Sequence, residues 1–136
     1  MIYLVSCKNI GTTTNNIQTQ KNEVVDTTQH KDRYNKIGQW ELHGNEPFWH
    51  ITINNQDVIF TKLNEKIDTT LFKVEDFLFI DGGISFQLID INNNIAQLGI
   101  YKNVDSISDG MSDKLYIYRT RLNYAGIELK GVAEKK

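Results

Sequence analysis

A chain of 136 residues with 15 basic and 17 acidic side chains and a formal net charge of −2 has room for one domain around one modest core. The charges are scattered with no block of one sign, so nothing could track a phosphate backbone or an anionic bilayer, and nucleic acid is excluded as an expected partner. The one cysteine, Cys7, rules out an internal disulfide, and no segment approaches the roughly 18 to 20 apolar residues of a membrane-spanning helix.

The chain opens Met1-Ile2-Tyr3-Leu4-Val5-Ser6-Cys7. An apolar residue three places before a cysteine and a small residue just before it resemble the lipobox of bacterial lipoprotein precursors. In that chemistry the Cys7 thiol takes a diacylglyceryl group, and a narrow peptidase site needs the small Ser6 before the cut. A signal peptide carries a basic segment and about 7 to 15 apolar residues, whereas six residues precede Cys7 here. Residues 1–7 are therefore expected to be a partial signal peptide and lipobox, with the start incomplete or misassigned. The alternative is an ordinary cytosolic N-terminus that happens to hold a cysteine. The lipobox reading implies a lipid-anchored protein of the cell envelope. With Lys8 rather than aspartate after Cys7, the periplasmic face of the outer membrane is favoured.

Residues 8–37 are dominated by Thr, Asn, Gln and Lys, with Ile10, Ile17, Val24 and Val25 at no sustained period, which reads as a disordered polar tether. From Gly38 to Lys136 short runs rich in Ile, Val, Phe, Tyr and Thr alternate with Asn, Asp and Gly, which is a β signature. Strands are expected over 48–53 and 58–63 around Asn54-Asn55-Gln56-Asp57, and over 71–74 and 77–80 around Glu75-Asp76. Further strands are expected over 84–91 and 95–101 around Asn92-Asn93-Asn94, and over 115–123 and 127–132 around Ala125-Gly126. Alternation along residues 115–122, and Trp49, Ile51 and Ile53 on one face, mark half-buried antiparallel strands. A short helical turn over 63–69 lacks caps. The expected fold is all-β: about eight strands in meander order, closed as a small barrel or folded as a sandwich.

Two segments carry polar groups suited to binding. In Gly44-Asn45-Glu46-Pro47-Phe48-Trp49 a turn runs into a strand that opens with two aromatics. Either Trp49 simply fills the core, or Asn45, Glu46 and Trp49 sit where a ligand stacks and hydrogen-bonds. His43 and His50 lack a third metal ligand at a zinc spacing. The second segment runs from Asp105 to Asp113. A calcium loop counted from Asp105 would need oxygen ligands at Ile107 and Tyr116, so that reading fails. Its Asp and Ser side chains could satisfy their own loop backbone. Alternatively Ser108, Asp109, Met111, Ser112, Asp113 and Tyr116 form a recognition surface. No spacing assembles a catalytic triad, a carboxylate pair or a phosphate cradle, so the expectation is a binding module without a cofactor rather than an enzyme.

With Gly44-Asn45-Glu46-Pro47-Phe48-Trp49 near the start of the domain and Ser108-Asp109-Gly110-Met111-Ser112-Asp113 followed by Tyr116 near its end, the chain resembles a family of uncharacterised bacterial lipoproteins associated with META-domain lipoproteins. The resemblance spans residues 40–133. It implies a small β domain in the envelope, with no established activity. The expectation for the binding module is a protein or small-molecule partner in the periplasm. The family pattern has cysteines where this chain has Ile107 and Val132. If those cysteines form a disulfide in the family, an apolar contact should replace it here. A looser likeness is to small barrel lipoproteins that inhibit lysozymes through a serine-rich loop. An inhibitor of a cell-wall hydrolase and an envelope enzyme acting around Glu46 or Asp109 are the alternatives.

Overall fold

The computed structural model describes residues 32–45 and 47–136, so the expectations for Cys7, for the tether up to residue 31 and for Glu46 lie outside the described residues. The chain divides after Lys36. In the first unit residues 32–34 form one helical turn, and Asn35 N–H and Lys36 N–H donate to the carbonyls of Asp32 and Arg33 at 3.3 and 3.2 Å. The second unit begins at Ile37, whose carbonyl accepts the indole N–H of Trp40 at 3.0 Å.

That second unit is an eight-stranded antiparallel meander: β1 (Gln39–Asn45), β2 (Phe48–Asn54), β3 (Asp57–Leu63), β4 (Ile67–Ile80), β5 (Gly83–Asp90), β6 (Ile95–Ser108), β7 (Leu115–Tyr124) and β8 (Ile127–Lys135). Each strand pairs with the next and β8 returns to β1, so the sheet closes as a barrel rather than a sandwich. Period-two alternation sends Trp49, Ile51 and Ile53 inward from β2, as expected, and Phe86 and Leu88 from β5. Two turns sit on residues that tolerate positive φ, Asn55 at 55° and Asn93 at 65°; in the third, Gly126 at 77° takes it freely while Ala125 at 53° is held there against its Cβ.

Three details differ from the expected pattern. Gln39–Asn45 is a strand, with Trp40, Leu42 and Gly44 on its buried face; ending that alternation on glycine hides it from a hydrophobicity pattern. Glu75-Asp76 is not a turn, because β4 runs unbroken with a bulge between Val74 and Asp76. Phe72, Val74 and Phe77 are all buried, and the extra residue lets the inward face pass from even to odd positions. The total of eight strands survives because one strand was missed and one was split. Residues 64–66 form a bend between β3 and β4, so no helix forms over 63–69.

The barrel is tightly packed where it closes. β1 and β8 share four Cα pairs, Trp40↔Lys135 to His43↔Val132. A Cβ on Gly131 would overlap the His43 carbonyl oxygen and stand 2.9 Å from Trp49 Cζ2. On Gly44 it would overlap the Lys130 carbonyl and stand 2.8 Å from Trp49 Cε2. The two glycines let the indole lie across the seam where the strands meet. Gly131→Ala should therefore destabilise the barrel by about 3 kcal/mol, the upper range for overpacking, read from the midpoint of denaturant unfolding. A loss below about 1 kcal/mol would mean that the seam is looser than described.

Candidate functional site

The site is built where the β6–β7 ribbon leaves the barrel wall. β7 pairs with β8 only as far as Tyr118↔Ala133. β6 and β7 continue together to Ile107↔Tyr116 and Ser108↔Leu115, across a register shift between Lys102 and Ile107. Four β6 residues, 103–106, then oppose the single Ile117 of β7, so the ribbon arches. Alternation puts Val132 on the outer face with Lys130 and Glu134, yet it is only 4% exposed. It lines the same cleft as Ile107.

Asp109, at the tip of the ribbon, latches it to β1. His43 Nε2–H donates to Asp109 Oδ2 at 3.0 Å, and the Asn45 side-chain amide donates to the Asp109 carbonyl. The other carboxylate oxygen, Oδ1, accepts the backbone N–H of Met111 at 2.8 Å and of Ser112 at 3.0 Å. Ser108 Oγ accepts from Gly110 N–H at 3.0 Å, and Ser112 Oγ from Lys114 N–H at 3.3 Å. These are Asx and Ser/Thr turns, in which side chains meet backbone donors that a short loop would leave unpaired.

The Met111 amide and the His43 ring are the main reasons that the Asp109 carboxyl sits at about 2, against an ordinary 3.8, although burial pushes it up. A group ionised throughout the physiological range and engaged on both oxygens is poorly placed to shuttle protons. Tyr116 lies beneath the loop. Its ring meets His43 edge-on at 5.4 Å, Lys114 Nζ stands 5.2 Å from its centroid, and burial pushes its phenol up. Lys114 in turn binds Glu134 at 2.8 and 2.9 Å.

Between loop and barrel is a cleft of about 520 Å³ walled by His43, Asn45, Ile107, Asp109, Arg119 and Lys130, among others. Arg119 stacks 5.3 Å from the Tyr101 ring centroid, which leaves its donor edges available. The amide oxygen of Asn45 is buried with no hydrogen-bond partner among the described residues.

The structure thus joins the two sequence segments. Asn45, Ser108 and Asp109 line the cleft, while Met111, Ser112 and Asp113 form an exposed crown on the loop. Two expected contact residues are placed otherwise. Trp49 is 1% exposed, turned into the core by the same alternation that buries Ile51 and Ile53, so it offers no ligand a face. Tyr116 is 8% exposed and props the loop from below. By sequence His43 was weighed only as a zinc ligand, and Arg119 and Lys130 were not singled out. The outward register of Arg119 on β7 and Lys130 on β8 was readable in principle, but nothing local ties His43 to an aspartate 66 positions away. Among the described residues no three His, Cys, Asp or Glu side chains gather as a metal site.

The latch has a definite pH dependence. A carboxyl held below its ordinary value contributes stability that is fully present above about 3.8 and is lost as pH falls through about 2. The Met111 amide proton resonance should therefore titrate with a midpoint near 2, and a midpoint near 3.8 would contradict the latch. Asp109→Ala should abolish hydrogen-exchange protection at Met111 and Ser112 while leaving the β3 and β5 amides protected. No protein-family model matches the chain, and no curated protein or solved structure proved similar to it.

Proposed function

We propose that this chain is a cell-envelope lipoprotein, anchored through lipid on Cys7, whose barrel is a non-enzymatic binding module. It meets a periplasmic partner at the cleft between the β6–β7 loop and the β1–β8 seam. The observation that carries this reading is the Asp109 latch to His43 and Asn45, which draws two distant polar segments into one preorganised surface. Fixing a loop before its partner arrives lowers the ordering cost of association. Arg119 and Lys130 on the cleft wall suit a partner that presents an acidic group, since guanidinium pairs with carboxylate in bidentate geometry.

Binding fits the site better than catalysis does, because Asp109 is locked as an ion by its own loop. Inhibition of a cell-wall hydrolase by loop insertion ranks second. The exposed crown of Met111, Ser112 and Asp113 favours it, while the inward-turned carboxylate of Asp109, whose side chain is 6% exposed, weighs against it.

Two measurements test the proposal. Intact mass of the protein from its native membranes should show a chain beginning at Cys7 with added acyl mass, absent in Cys7→Ser; an unmodified soluble chain would sink the envelope reading. A photo-crosslinker placed at Asn103, in the cleft, should then yield one discrete adduct in intact cells. That adduct should be lost in Arg119→Glu and absent when the crosslinker sits at Ile59, on another part of the outer wall. Equal labelling from both positions would overturn the assignment of the surface.

A further inference from the structure

The second cavity lies on the other side of the wall. Alternation along β8 sends Leu129 inward and Lys130 outward, so residues that share the Leu129 side face the barrel interior. Phe60 and Lys62 of β3, Asp68 and Thr70 of β4, Leu122 and Tyr124 of β7, and Leu129 of β8 enclose about 180 Å³ at the end of the barrel where the β3–β4 and β7–β8 turns lie. An engineered apolar cavity of about 150 Å³ takes up benzene, so this mouth has room for a ring or a branched alkyl group.

Its floor is apolar and its wall is held rigid. Phe60, Leu122 and Leu129 are buried, and the Tyr124 ring packs edge-on against Phe72 at 4.9 Å and Phe60 at 6.5 Å. The Tyr124 hydroxyl donates to Asp90 Oδ2 at 2.7 Å. Asp90 is itself fixed by the backbone N–H groups of Asn92 and Asn94 at 2.9 and 2.8 Å. Tyr124 therefore cannot swing in to fill the mouth without breaking a charge-assisted hydrogen bond.

At the rim stand one cation and one anion. Lys62 and Asp68 are direct register partners on β3 and β4, and both line the cavity. Among the described residues no ion pair joins them to each other or commits either elsewhere. An adjacent cation and anion above an apolar pocket complement a ligand that carries an anion and a cation on one carbon and an apolar group on the same carbon.

We infer that the open end of the barrel is a binding site for a free α-amino acid with a branched-alkyl or aromatic side chain. The α-carboxylate pairs with the Lys62 ammonium, the α-ammonium pairs with the Asp68 carboxylate, and the side chain descends onto Phe60, Leu122 and Leu129. The cavity is closed beneath by the core, so selectivity is against a missing side chain and against bulk beyond a single ring. Nothing in this assignment depends on the outer cleft or on the lipid anchor.

The test is calorimetric titration of the full 136-residue chain with L-leucine and L-phenylalanine. Saturable binding at one site per chain is expected, with glycine, leucine amide and N-acetyl-leucine each weaker by about tenfold or more, the effect of losing the apolar anchor or one charge-assisted contact. Lys62→Met and Asp68→Asn, both at the rim, should each weaken L-leucine by a similar factor with the melting temperature unchanged. Thr70→Phe, which fills the mouth, should abolish binding. Absence of binding by both amino acids to the folded natural chain would overturn the assignment. So would glycine binding as well as leucine, or unchanged affinity in the two charge variants.

Discussion

The pairing of the first strand with the last is the contact on which everything else rests. A meander of eight strands leaves two open edges unless β1 finds β8, and here they meet over four residue pairs. Gly44 and Gly131 give up their side chains so that the backbones can approach and the Trp49 indole can lie across the join. An open edge would expose a row of unpaired donors and acceptors to other chains. Closure removes that hazard and brings the outward face of β1, with His43 and Asn45, beside β8 and the ribbon that overhangs it.

The overhanging ribbon needs a second device, because β6 and β7 have no neighbouring strand beyond Tyr118. One carboxylate supplies it. Asp109 meets two loop amides with one oxygen and His43 with the other, so folding the loop and docking it to the seam use the same side chain. A loop held in this way presents its crown and its cleft in one arrangement.

The strand alternation that builds the core also separates two cavities of opposite character by the thickness of one wall. Outside, Arg119 and Lys130 face a polar cleft beside the latch. Inside, Leu122 and Leu129 from the same two strands face an apolar mouth rimmed by Lys62 and Asp68. The outer cleft is the wider, at about 520 Å³, and the inner one, at about 180 Å³, is the narrower.

Most of the fold was legible in the sequence because it is set by local chemistry. Alternation of apolar residues and turns at Asn55, Asn93 and Gly126 follow from side-chain direction and from which residues tolerate positive φ, and neither needs a distant partner. The polar segments that build the site were legible for a similar reason, since Asx and Ser/Thr turns are written within a few residues. The sequence did not distinguish barrel from sandwich, reveal the bulge that keeps Phe77 in the core, decide between the core and ligand readings of Trp49, or turn Tyr116 away from the surface. It also could not join His43 to Asp109. Those outcomes depend on which strands become neighbours once the sheet closes, and only tertiary structure decides that, because the residues that meet at the seam come from opposite ends of the domain.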